Sequence, residues 1–152
     1  MKHWRQLGIR VVAYLGDGLV AVEGRQKAVE ASEIMWKDLT RAGWVENVTK
    51  SEWEASQQLS WLGFNIDLEK GSISVPQAKL DNLHAQLQVA GKCERLHAKI
   101  LASLTGKLIS MSLALVPVAR LMTRGMYCLL NTQEAWCDVL PLTAEARAEI
   151  NF

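Results

Sequence analysis

Proline is scarce in this 152-residue sequence, with 3, and so are tyrosine and phenylalanine, with 2 each. So little proline goes with the exclusion of a collagen-like composition, which needs it in a sustained repeat. Cys93, Cys128 and Cys137 are an odd number without a CxxC pair. That excludes a disulfide framework and points to a reducing compartment. Long hydrophobic runs are missing too. The longest uncharged apolar-rich stretch, 108–119, is 12 residues long and broken by Ser110, Ser112 and Pro117, against the roughly 20 that span a bilayer. Charge of one sign is also lacking, since 17 Lys and Arg face 16 Asp and Glu for a net +1. Total charge therefore makes no case for or against nucleic acid. Met1-Lys2-His3-Trp4-Arg5 has no apolar signal-peptide core, so the expectation is a soluble intracellular protein, cytoplasmic or nuclear, with no membrane partner.

What is present is the composition of a globular chain, 49% hydrophobic and 22% charged, long enough for one domain or two small ones. The charge is unevenly distributed: net +2 over 1–50, −3 over 51–78, +5 over 79–131 and −3 over 132–152. One basic stretch lies between two acidic ones. A solvated helix face is the ordinary reading of such a run, and a phosphate-tracking surface is the functional one.

Periodicity predicts the elements. Leu7–Tyr14 and Leu19–Glu23 read as strands joined by Leu15-Gly16-Asp17-Gly18, whose glycines should supply the positive φ of a tight turn and leave Asp17 at the tip. Arg25–Ala42 reads as a helix with Ala28, Ser32, Met35, Trp36 and Leu39 on one face, ending at Gly43. Trp44–Val48 suggests a short strand. Leu59–Leu68 and Ser72–Val75, turned by Glu69-Lys70-Gly71, predict a second hairpin. Pro76 suits the first position of a helix carrying Leu80, Leu83 and Leu87. After Gly91, Leu96 to Leu115 recurs with helical period. Pro117 restarts a helix to Leu130 with Leu121, Met122, Gly125 and Leu129 inward, and Thr143 caps a last one with Glu145 in its first turn.

Three features bear on chemistry. Tyr14-Leu15-Gly16-Asp17 mounts a carboxylate on a hairpin, where metal-assisted phosphoryl transfer would use it, although Asp and Gly are also the commonest turn residues. Trp61-Leu62-Gly63-Phe64 lies in the second hairpin and is equally at home in a core strand. Lys92, Arg95, Lys99, Lys107, Arg120 and Arg124 populate the basic helices. Cys93 and His97 have three residues between them, but two ligands do not make a zinc site. Trp36, Trp44, Trp53 and Trp136 are expected in or beside the core rather than as base-stacking platforms. His3, His84 and His97 form no triad pattern, and no GxGxxG or Walker loop occurs.

Together and in this order the pieces resemble a reverse transcriptase, the RNA-directed DNA polymerase of LTR-type and tyrosine-recombinase (DIRS-like) retrotransposons. His3-Trp4-Arg5 and Gly8-Ile9-Arg10-Val11-Val12-Ala13-Tyr14-Leu15-Gly16-Asp17 look like the strand entering the family's Tyr-x-Asp-Asp palm motif. Gln58 to Asp67 with Lys70 to Pro76 is similar to its primer-grip hairpin. Leu104 to Ser110 and Pro117 to Arg124 look like its thumb and connection helices.

The resemblance implies an α+β fold: a partial palm over 1–76, a helical thumb and connection over 77–131, and a tail with a short helix over 132–152. It implies that Asp17 is the second palm aspartate, near catalytic Mg²⁺, and that Tyr14 lines the floor beneath the primer terminus. Trp61, Leu62, Gly63 and Phe64 would grip the primer. Lys92, Lys99, Lys107, Arg120 and Arg124 would meet the phosphates of an RNA/DNA primer–template. The family's first paired aspartate is replaced here by Gly16, and its upstream palm strands, fingers and ribonuclease H have no counterpart among these residues. Nucleotidyl transfer by this stretch alone is therefore not expected, nor is productive Mg²⁺ binding by Asp17 alone. Three readings stay open: a polymerase fragment completed from elsewhere, a non-catalytic primer–template binding module, and a decayed retroelement reading frame. Uncovered palm strands also suggest self-association through Val11, Val12, Leu19 and Val20.

Overall fold

The computed structural model describes residues 1–115 and 118–152. The class is α+β, with eight helices and three small antiparallel sheets among the described residues. The chain divides into two compact units, Met1–Leu62 with Asp67–Lys70, and Gly63–Ile66 with Gly71–Phe152.

The first unit opens with a helix the sequence did not predict, α1 (Lys2–Gln6). Tertiary contacts hold this short turn: the Trp4 indole N–H donates to Asp38 at 2.8 Å, and the Ile9 N–H donates to the Trp4 carbonyl at 3.0 Å. β1 (Arg10–Tyr14) and β2 (Asp17–Ala21) pair antiparallel, with Val11 opposite Val20 and Val12 opposite Leu19. Opposed residues share a face. Val11 and Val20 turn toward α2 (Arg25–Arg41), forming a core with Ile9, Ala31 and Met35, on which Trp4, Val22 and Trp53 pack. Helical spacing placed α2 correctly, but Trp36 lies outside its buried stripe and is exposed. The segment after α2 forms no strand. Trp44, Val45 and Val48 stand exposed there, since no strand among the described residues pairs with 44–48 to complete a ladder.

Where the sequence suggested one hairpin, a three-stranded meander forms, β3 (Gln58–Trp61), β4 (Phe64–Asp67) and β5 (Ser72–Ser74), in that order. The long predicted strand is interrupted by a two-residue turn at Leu62-Gly63, with φ 50° and 75°. Two consecutive left-handed residues are what a type I′ hairpin turn requires.

In the second unit, α3 (Gln77–Gly91) starts one position later than expected, with extended Pro76 as its N-cap. β6 (Arg95–His97) pairs with β7 (Val139–Pro141), Leu96 opposite Leu140, and the helix read from Leu96 begins at α4 (Ala98–Ser110). α5 (Ser112–Leu115), α6 (Val118–Leu121) and α7 (Arg124–Leu130) follow, then α8 (Ala144–Asn151). The expected restart at Pro117 lies outside the described residues. The single helix read to Leu130 is broken at Met122-Thr123, and Leu121, expected inside, is 69% exposed. Met126 takes the inward place, fully buried with Leu101, Leu104 and Met111.

α8 closes this core against α3 and α7. Gly125 permits the approach, because a Cβ there would meet Glu145 Cβ at 3.0 Å and the Ala146 nitrogen at 3.1 Å. The Thr143 hydroxyl caps α8 as expected, accepting from the Ala146 N–H at 3.2 Å. The buried Thr105 and Thr123 hydroxyls each donate at 2.8 Å to a carbonyl four residues earlier, Leu101 and Ala119. No helix among the described residues is long and apolar enough to cross a membrane.

Candidate functional site

The two motifs singled out in the sequence, Tyr14-Leu15-Gly16-Asp17 and Trp61-Leu62-Gly63-Phe64, share a pattern of aromatic, Leu, Gly, and both make hairpin turns, the second alone with its glycine left-handed. Each spans a two-residue hairpin turn with Leu in the left-handed region. In the first, Tyr14 pairs with Asp17 across the turn and all four residues are exposed. The positive φ expected of Gly16 and Gly18 falls instead on Leu15, at 52°. Strand register explains the difference. Shifting the turn by one residue would rotate Val11 out of the core. Asp17 is consequently the first residue of β2, rather than the tip.

The resemblance implies a Mg²⁺ ion here, and the residues present do not fit one. Gly16 offers no carboxylate beside Asp17, and among the described residues no three His, Cys, Asp or Glu side chains gather closely enough to hold a metal ion. Cys93 and His97 belong to no such group: the Cys93 thiol faces the Val89 carbonyl at 3.4 Å, and His97 Nδ1 faces the Cys137 carbonyl at 3.4 Å.

The four residues of the second motif differ in surroundings. Trp61 is half-buried, with its indole nitrogen buried and without a hydrogen-bond partner. Leu62 is exposed. Phe64 is buried, and the Lys79 ammonium sits 5.5 Å from its ring centre, within cation–π range. The same Nζ lies 3.3 Å from where a Gly63 Cβ would stand. Lys79 is not among the residues the sequence singles out. Its spacing after Pro76 puts it in the first turn of α3, but nothing in the local sequence says that β4 brings Phe64 beneath it.

The five basic residues expected at a phosphate surface are distributed over the second unit. Lys92 caps the C-terminal end of α3, Lys99 lies in the first turn of α4, and Arg120 and Arg124 belong to α6 and α7; all four are exposed. Lys107 is half-buried and donates to Gln86 at 2.6 Å. Arg95 donates to the Val139 carbonyl at 3.0 Å. None of them meets a carboxylate among the described residues. Every ion pair among the described residues falls within 1–70: His3 with Asp38, Arg10 with Glu23, Lys37 with Glu33, and Lys70 with Asp67.

The acidic residues flanking the basic stretch are engaged otherwise. Glu149 accepts the Gly125 and Met126 N–H groups at 2.7 and 2.8 Å, so the start of α7 is closed by the chain's own carboxylate. Asp138 accepts the Glu134 and Ala135 N–H groups, each at 2.8 Å, and these bonds hold its carboxyl below the ordinary value of 3.8. The Lys70 N–H does the same for Asp67. Neither Glu149 nor Asp138 neutralises a basic side chain.

Two open depressions of about 420 and 380 Å³ lie near β1 in the first unit, the second lined in part by Arg10, Glu23, Lys27 and Glu30. The expectation that Trp36, Trp44, Trp53 and Trp136 lie in or beside the core holds for Trp53 alone. Its indole and that of exposed Trp36 both donate to Glu46, while Trp44 and Trp136 are well exposed. No family model matches this chain, and no curated protein matches it in sequence.

Proposed function

We propose that this chain is a palm-and-thumb piece of a retroelement reverse transcriptase that holds an RNA/DNA primer–template through its phosphates without catalysing nucleotidyl transfer. One observation carries the binding half of this reading: none of the seven basic side chains between 79 and 131 pairs with a carboxylate among the described residues. Unpaired cations gathered in one segment favour a polyanion, because each phosphate contact releases condensed counterions. The resemblance of the two hairpins and the following helices supplies the identity of the duplex. Loss of catalysis follows from Gly16, which leaves Asp17 the one carboxylate of its motif.

The test is paired. The purified chain should show no metal-dependent primer extension, and Lys92→Glu with Lys99→Glu should weaken retention of a labelled primer–template. Primer extension by the chain alone would sink the catalytic half. Undiminished retention by the charge-reversed chain would sink the other.

Self-association belongs to the same reading in a narrower form. Val11 and Val20 turn toward α2, leaving Val12, 53% exposed, and Leu19 on the open face of the first hairpin. A Val12→Lys variant that scatters light identically to wild type at high concentration would contradict it.

A further inference from the structure

We infer that Lys79 is the side chain through which the second hairpin meets a backbone phosphate of the duplex. This rests on the reading just given and adds a residue to it. The Lys79 ammonium lies over the buried Phe64 ring at 5.5 Å and beside Gly63, at the turn expected to grip the primer. No carboxylate among the described residues pairs with it.

Its place is electrostatically unfavourable. Lys79 falls in the first turn of α3, where the helix dipole disfavours a cation, and that turn contains no acidic residue to offset it. Ring and turn together fix the amine. The half-buried stem restricts the side chain, so less freedom is lost when a phosphate arrives than for a lysine on an open helix face. Gly63 helps position it in two ways: its φ of 75° makes the turn, and its missing Cβ leaves the ammonium the space it occupies, 3.3 Å from that point. A phosphate oxygen would accept a hydrogen bond from Nζ, an ammonium with three donors and no hydrogen-bond acceptor among the described residues.

The experiment is fluorescence anisotropy of a labelled RNA–DNA primer–template titrated at several salt concentrations. It compares wild type, Lys79→Met, which keeps the stem over Phe64, Lys79→Arg, which keeps the charge, and Lys37→Gln, which removes a lysine already paired with Glu33. Lys79→Met should lower the magnitude of the log–log salt slope by about 1. Lys79→Arg and Lys37→Gln should both keep the wild-type slope. If wild type binds and Lys79→Met retains its full slope, the inference is wrong while the binding reading stands. If wild type shows no binding at low salt, both fall.

Discussion

Replacing Leu15 by Asn should make the first unit more stable. Leu15 holds φ 52° with its side chain 90% exposed, so the change removes almost no packing and acts on backbone energy. Left-handed backbone costs an ordinary L-residue about 1–2 kcal/mol. Asn visits that region far more readily, because its short side chain bonds the local backbone. A gain of about 1 kcal/mol is expected, which in a urea titration moves the midpoint up by about 0.3–1 M at the slopes usual for small proteins. Tryptophan fluorescence is a suitable probe, since Trp4, Trp36, Trp44, Trp53 and Trp61 belong to this unit and Trp136 alone to the other. Two companion variants sharpen the test. Gly16→Asp should stay within about 0.5 kcal/mol of wild type, because Gly16 is not left-handed and a Cβ there meets nothing within 4 Å. Gly63→Ala, in the second unit and followed there by circular dichroism, should lose about 1–2 kcal/mol, since it combines φ 75° with the Lys79 amine 3.3 Å away. An unchanged or lowered Leu15→Asn midpoint, or equal losses at Gly16 and Gly63, would refute the assignment of the left-handed position to Leu15.

Other outcomes follow from the second unit. Glu149→Gln removes a charged acceptor from the Gly125 and Met126 N–H groups, and should cost about 1.5–3 kcal/mol in denaturant titrations; a variant as stable as wild type would show that the cap contributes nothing. Asp138 has a folded pKa below its unfolded value of 3.8. Its contribution is therefore complete above that value and lost as pH falls through the folded one. Thermal melts between about pH 5 and 2 should show wild type losing more stability than Asp138→Asn, and parallel losses would contradict the account.

Much of the fold was legible because it follows local periodicity. α2 is a long amphipathic run without Gly or Pro, and the Thr143 cap is a local side-chain device. What failed depended on distant partners. α1 is held by Asp38, a residue of another helix, and β6 exists because Leu140 lies opposite Leu96. Neither leaves a pattern in so short a stretch. The turn at Leu62-Gly63 was hidden because Leu59 to Leu68, alternating imperfectly through Leu59, Trp61, Gly63 and Ile66, reads as one strand. The same aromatic-Leu-Gly sequence at Tyr14-Leu15-Gly16 could have betrayed it. At the candidate site, composition identified the basic segment. Side-chain placement decided the rest: Lys107 is tied to Gln86, and Lys79 stands over Phe64.

The most direct test of phosphate-driven binding is the salt dependence of wild-type affinity for an RNA–DNA primer–template. If Lys79, Lys92, Lys99, Arg120 and Arg124 each meet one phosphate, log affinity should fall linearly with log salt, with a slope of roughly −4 to −5 at about 0.9 per contact. Absence of binding at low salt, or affinity indifferent to salt, would contradict it.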